Sequence, residues 1–259
     1  MNQKCISICN PIDLILDGGI QIGEVTEIFG ESGVGKNQTC LQLLLTCLLE
    51  LKDEELYGSS IYIQACPVFP AERLNQVSLH ILRNKLAGEN PLSLVHVKKI
   101  EVADQIFLVL NQVELMVLNS LEGCRYTRVI VLDSIAYLFR HEHDNTCKRF
   151  SERNRMLLVV GKKMKDIAKT YNIAFVVVNE VTDVFTPNVS GTFTSGREIK
   201  PALGPKWETI ISNRMFISYQ YNLSDASWYR EWMVVKSSKS TIQGRRCAFR
   251  ITSNGLTSL

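Results

Sequence analysis

The sequence has no apolar run long enough to cross a bilayer. Its most hydrophobic stretches, Leu41–Leu49 and Ile106–Leu121, are too short or are broken by Gln42, Gln112 and Glu114. With no secretory leader at the start either, a soluble intracellular protein without a membrane role is expected. Paired cysteine motifs are also missing. The eight cysteines, Cys5, Cys9, Cys40, Cys47, Cys66, Cys124, Cys147 and Cys247, are scattered without a CxxC pair, which argues against a zinc site or disulfide framework and for reduced core thiols. Charge of one sign is not in excess: the formal net charge of +3 over 259 residues does not diagnose a nucleic-acid partner, because recognition depends on where Lys and Arg cluster. Internal repeats and low-complexity tracts are absent. With 46% hydrophobic and 21% charged residues the chain has ordinary globular composition and little room for disordered tails.

What is present is an alternation of strand and helix signals. Val25–Phe29 reads as a short strand running into a glycine-rich loop, and Leu41, Leu44, Leu45 and Leu48 then share one helical face. Ser60–Ile63, Arg128–Asp133 and Ala174–Asn179 are further strands, the last two so continuously apolar that both faces must be buried. Helices are predicted over Ala103–Leu121 and about Phe150–Tyr171. This order implies a central, mostly parallel twisted sheet flanked by helices. From Asp183 to Gly196 the Thr, Asn, Ser and Gly content reads as a long mobile loop. Arg214–Gln220, Glu231–Val235 and Cys247–Thr252 then suggest an antiparallel extension of the sheet. Residues 1–16 form a short lead with no space for a separate module, and 17–259 are expected to be a single domain.

The chemistry concentrates in Gly30-Glu31-Ser32-Gly33-Val34-Gly35-Lys36-Asn37, which fits G-x-x-x-x-G-K between a strand and a helix. Glycines let the backbone curl so that successive N–H groups face phosphate oxygens. The helix start adds the positive end of its dipole, and Lys36 supplies a point charge to the β and γ phosphates. Nucleotide binding, with ATP as cofactor, is the strong inference. Asn37 stands where Ser or Thr usually ligates Mg²⁺, and a neutral amide oxygen should hold the metal less well. Asp133 ends a hydrophobic strand, as the second acidic residue of P-loop enzymes does when it holds Mg²⁺ directly or through water. A strand-end aspartate capping the next helix is the alternative.

The order of these motifs resembles the RecA superfamily, specifically the paralogues of the eukaryotic strand-exchange recombinase, from about Asp17 onward. The resemblance is carried by Gly18-Gly19-Ile20, Gly23-Glu24-Val25-Thr26-Glu27, the phosphate loop, Phe69-Pro70-Ala71-Glu72-Arg73-Leu74, Leu132-Asp133-Ser134-Ile135-Ala136, Asn179-Glu180-Val181-Thr182, and Pro201-Ala202-Leu203-Gly204 with Trp207. Phe69-Pro70 and Glu72-Arg73-Leu74 look like the X-ray cross-complementing, Spindle-B-like branch, while Phe139-Arg140-His141-Glu142 and the Gly33–Cys40 stretch look like its C-paralogue partner. The resemblance implies an α/β RecA-type P-loop core over the single domain.

It further implies two DNA-facing loops, by position about Arg140–Phe150 and Asp183–Lys200. Arg140, Lys148 and Arg149 make the first locally basic, which suits salt-sensitive phosphate contacts, although a solvated helix face accounts for them equally. The second offers Arg197 and Lys200 with Phe185 and Phe193, a mixture of charge and stacking surface for single-stranded DNA.

Two departures bear on catalysis. Cys66 stands where active recombinases carry a catalytic Glu, and a thiol does not take a proton from water as a carboxylate does. Glu180 replaces a γ-phosphate-sensing Gln, so that an anion faces ATP. No residue is therefore assigned as catalytic. The resemblance implies a mediator or assembly subunit in homologous-recombination repair of double-strand breaks, with weak or absent hydrolysis. Its partners would be other paralogues, the recombinase itself and single-stranded DNA, in a hetero-oligomer in the nucleus with the cytoplasm as a second compartment, and with meiosis as one setting. An active DNA-dependent ATPase, with Glu72 as substitute base, is the alternative, and a small-molecule kinase is a third reading that lacks an identifiable acceptor site.

Overall fold

A computed structural model describes residues 4–49, 58–65, 68–82, 90–122, 125–140, 147–184, 192–194, 197–222, 224 and 226–259, with the side chains at 140, 147–150 and 192–194 outside that description. The chain opens with β1 (Cys5–Ile6), α1 (Asn10–Ile15) and β2 (Ile20–Gln21). It continues through β3 (Val25–Phe29), α2 (Lys36–Thr46), β4 (Gly58–Gln64), α3 (Ala71–Ile81), β5 (Val95–Lys99), α4 (Ile106–Leu121), β6 (Tyr126–Asp133) and α5 (Ile135–Arg140). Then follow α6 (Cys147–Tyr171), β7 (Ala174–Asn179), β8 (Val181–Asp183), β9 (Thr192–Thr194), β10 (Arg197–Pro201), α7 (Gly204–Glu208), β11 (Asn213–Asn222), β12 (Ser227–Lys236), β13 (Arg246–Thr252) and β14 (Gly255–Ser258).

Nine strands form one sheet in the order β14-β13-β12-β11-β3-β7-β6-β4-β5. From β11 to β5 every pairing is parallel, and from β11 to β14 every pairing is antiparallel. The expected mostly parallel core with an antiparallel C-terminal extension is therefore present. Alternation along the strands fills two separate cores. Ala174, Val176 and Val178 of β7 join Val129 and Val131 of β6 beneath α1, α2 and α3, while Phe175, Val177, Ile130 and Leu132 face α4, α6 and α7 on the other side. This double burial explains the unbroken apolar runs of β6 and β7. Ile6, Ile8, Ile12 and Ile15 belong to the first of these cores, so the leading residues pack on the same sheet. No helix among the described residues is long and apolar enough to cross a membrane.

Two expectations are corrected, and one strand had no counterpart among them. The stretch read as a loop after Thr182 holds β9, which joins β8 and β10, at the two ends of the stretch, in a small antiparallel sheet, β8-β10-β9, with Ile199 opposite Asp183 and Arg197 opposite Thr194. Ile199 of β10 is buried with Phe29 and Phe216, Val181 of β8 packs against them, and the apolar residues of this stretch fall in no periodic pattern. Strand β5 escaped notice because it is the sheet edge, where His96, Val97 and Lys99 are exposed. Of the cysteines, Cys40 and Cys47 are buried as expected, but Cys5, Cys9 and Cys247 are only half-buried. The thiols at 66 and 124, and the side chain at 147, lie outside the described residues.

Candidate nucleotide-binding site

The parallel register brings the carboxyl ends of neighbouring strands level. Phe29 pairs with Asn179, and Gln64 with Asp133, so the loop after β3, the end of β6 and the residue after β7 meet at one edge of the sheet, where crevices of open α/β sheets form. There they line a cavity of about 880 Å³ with Gly30, Ser32, Gly33, Gly35, Lys36, Asn37, Asp133 and Glu180.

Local packing explains the shape of the loop. A Cβ at Gly30 would lie 2.2 Å from the carbonyl oxygen of Ile217, so only glycine lets the loop leave β3 this close to β11. Gly35, at φ +116°, turns the chain into α2, and a side chain there would meet Ile251 at 2.7 Å. Val34 is fully buried and anchors the loop in the core. Because α2 begins at Lys36, the unpaired N–H groups of its first turn face the cavity edge, an arrangement suited to anions. Lys36 donates through Nζ to the carbonyl oxygens of Gly30 at 2.8 Å and Glu31 at 2.7 Å. Burial pulls its pKa down, and the negative charges of Asp133 and Glu180 oppose that shift.

Asp133 is 3% exposed and accepts a 2.6 Å hydrogen bond from the hydroxyl of Tyr62. Burial pushes its carboxyl up to about 6, against the stabilising effects of the Tyr62 hydrogen bond and of Lys36. A buried carboxyl held this way, with the Asn37 amide on the same cavity, suits a small oxygen-seeking cation that brings its own phosphate and water ligands. No cluster of three or more His, Cys, Asp or Glu that could hold a metal without such help occurs among the described residues.

Behind the cavity a buried network fixes the end of β7. Glu27, fully buried on β3, accepts hydrogen bonds from Asn179 Nδ2 and Trp207 Nε1, both at 2.7 Å, and pairs with Arg214 of β11. Asn179 also donates to the carbonyl of Ala202 at 3.0 Å and accepts from the backbone N–H of Glu180 at 2.8 Å. The position of Glu180 at the cavity is thereby tied to the strand that carries the phosphate loop.

The remaining expected residues are distributed unevenly. Glu31 turns its carboxylate away from the cavity to Arg197 of β10, which also reaches Asp183 at 3.5 Å. One of the residues assigned to DNA contact is thus clasped to the phosphate loop by carboxylates. Lys200 lies half-buried on β10 opposite Thr182. Arg140 ends α5, and Lys148 and Arg149 open α6, but their side chains lie outside the described residues, as does Cys66. Glu72, weighed as a substitute base, is exposed on α3, and it is the next residue, Arg73, that lines the cavity.

Sequence reading missed a whole wall. Gln38, Arg73, Arg230, Ile251 and Thr252 also face the cavity. Arg73 is held by Gln38 at 2.8 Å and by the carbonyls of Thr252 at 2.6 Å and Ser253 at 2.9 Å, so α3 is pinned to the turn before β14. Arg73 lay within a quoted motif without a role, whereas nothing local marked Arg230 or Ile251.

Comparison with known proteins gives the family. The family model described as Rad51 matches residues 4–257. The chain is 34% identical to "DNA repair protein XRCC3 homolog" of Arabidopsis thaliana, over 84% of this chain and 76% of that protein. It is 28% identical to "DNA repair protein RAD51 homolog 3" of Dictyostelium discoideum, over 85% and 58%, and 26% identical to "DNA repair protein XRCC3" of Bos taurus, over 85% and 64%. The chain therefore spans less than two thirds of the latter two relatives.

Proposed function

The chain belongs to the Rad51 family, and on that premise we propose that it is an ATP-binding recombinase paralogue that supports homologous-recombination repair as a mediator subunit with weak or absent hydrolysis. The observation that carries the reading is the convergence of the phosphate loop, Lys36 and buried Asp133 on one cavity. The names of the similar proteins, DNA repair proteins of the XRCC3 and RAD51-homologue kinds, supply the process.

In this reading the N–H groups of Ser32–Lys36 hold the phosphates, and Lys36 leaves the carbonyls of Gly30 and Glu31 to meet them. Asn37 and Asp133 would hold the Mg²⁺ that accompanies ATP, and when bound the ion neutralises phosphate charge. Its charge also favours the ionised form of Asp133, which burial otherwise opposes. The neutral Asn37 amide makes that metal weakly held. Glu180 sets a carboxylate against the terminal phosphate and weakens its grip. Other recombinase paralogues, the recombinase and single-stranded DNA are the partners, with Arg140, Lys148, Arg149, Arg197 and Lys200 as DNA contacts, in a nuclear hetero-oligomer.

A second reading has an observation of its own. Glu180 lines the same cavity as Lys36 and Asp133, so a carboxylate stands in the site although Cys66 replaces the expected base. Glu180 would then activate water in a DNA-dependent ATPase. ATP affinity and turnover, with and without single-stranded DNA and with and without a coexpressed paralogue, separate the two. The mediator reading expects Lys36→Ala to abolish nucleotide binding and Glu180→Gln to tighten it without lowering turnover. A loss of turnover of roughly 10²–10⁴-fold in Glu180→Gln would establish the ATPase instead.

A further inference from the structure

Arg230 of β12 faces the phosphate cavity from the side opposite Asp133, and its charge has no carboxylate partner among the described residues. Its Nη2 donates to the hydroxyl of Tyr219 at 2.6 Å, and its guanidinium carbon lies 4.8 Å from the centre of that ring. Tyr219 in turn donates to the carbonyl oxygen of Gly33, in the middle of the phosphate loop, at 3.1 Å. The Nε of Arg230 is buried without a hydrogen-bond partner. A half-buried guanidinium with no counter-charge is unfavourable in the unliganded protein, and an anion relieves it. The other cations of the cavity are differently placed: the donors of Arg73 go to backbone carbonyls, Gln38 and Gln76, while Lys36 sits at the helix start.

The geometry points to Arg230 as a polyphosphate-binding residue of this site, oriented by Tyr219 so that its guanidinium contacts the phosphate cradled by the middle of the loop. The inference rests on the nucleotide reading above and adds a second fixed charge to Lys36, on the opposite flank. Because Tyr219 tethers Arg230 to Gly33 and not to the inner end of the cavity, the contact falls on the β phosphate, which ATP and ADP share and AMP lacks. Planar guanidinium donors match phosphate oxygens in pairs, so Arg230→Lys keeps charge but not geometry.

Calorimetric titration of the full chain with ATP, ADP and AMP in the presence of Mg²⁺ tests it. Arg230→Ala should weaken ATP and ADP about tenfold each, equivalent to about 1.4 kcal/mol, and leave AMP within twofold. Arg230→Lys should recover part of the loss, and Tyr219→Phe should show a smaller loss of the same pattern. The melting temperature of the unliganded Arg230→Ala protein should be unchanged or higher, because an uncompensated charge has been removed. Affinity for ATP within twofold of wild type overturns the inference, and so does an equal loss for AMP, which would mark a general distortion of the site. Wild type that binds ATP, with Lys36→Ala abolishing binding and Arg230→Ala neutral, would sink this inference alone, whereas wild type that binds no ATP would remove the nucleotide reading and this inference with it.

Discussion

On the flank formed by β6 and β7 the phosphate loop faces two carboxylates, Asp133 and Glu180, whereas on the flank formed by α3, β12 and β13 it faces two guanidiniums, Arg73 and Arg230, and the side chain of Ile251. The inner flank is built into the doubly covered sheet, with Asp133 almost completely buried and the end of β7 held by Glu27. The outer flank is made by α3 and the antiparallel extension, and its arginines are held by carbonyls, glutamine side chains and a tyrosine hydroxyl. In the proposed reading the difference separates two tasks: the acidic groups would meet a metal ion and water, the cationic groups would neutralise a phosphate chain, and one loop would serve both without its charges cancelling at short range.

The largest effect is expected where the inner flank is anchored. Glu27→Ala leaves the Arg214 guanidinium without its buried partner and removes acceptors from Asn179 and Trp207, which should cost about 3–5 kcal/mol in chemical denaturation. A loss below about 1 kcal/mol would mean that the two flanks do not differ in anchoring.

Asp133 sharpens the comparison through pH. Its carboxyl is pushed up to about 6, so the folded chain holds that proton more tightly than an extended chain does. The resulting stability is fully present below the ordinary carboxylate range and is lost as pH rises through about 6. Asp133→Asn should therefore raise the melting temperature of the unliganded protein at pH 7.5, by a free energy on the order of 2–3 kcal/mol, and change it little at pH 4. It should also remove Mg²⁺-dependent nucleotide binding. Equal stabilisation at both pH values would show that burial of the charge is not the cause.

The smallest effect belongs to the exposed clasp between Glu31 and Arg197. A double-mutant cycle with Glu31→Ala and Arg197→Ala should give a coupling of at most about 1 kcal/mol, reduced further by salt, because Arg197 is 59% exposed. Coupling above about 2 kcal/mol would place this pair with the buried anchors.

Legibility followed the same division. Strands β3, β6 and β7 were readable because burial on both faces leaves continuous apolar runs, and the glycine loop with Lys36 was readable because phosphate binding restricts residue types at fixed spacing. The sheet β8-β10-β9 was not, because its apolar residues, Val181 and Ile199 among them, follow no alternating pattern. Arg230 was not, because a lone arginine in a strand of alternating residues looks like any surface cation until its neighbours are known.

By itself the sequence determined the strand–loop–helix that shapes the phosphate cradle, the parallel α/β class and the place of Asp133 and Glu180 at strand ends, since each is a matter of local residue type and periodicity. Only the tertiary structure decided which cations complete the cavity. Tyr219 meets Gly33 across 186 residues of chain and Arg73 meets Thr252 across 179, and contacts of that span depend on sheet order and register, which no local pattern encodes.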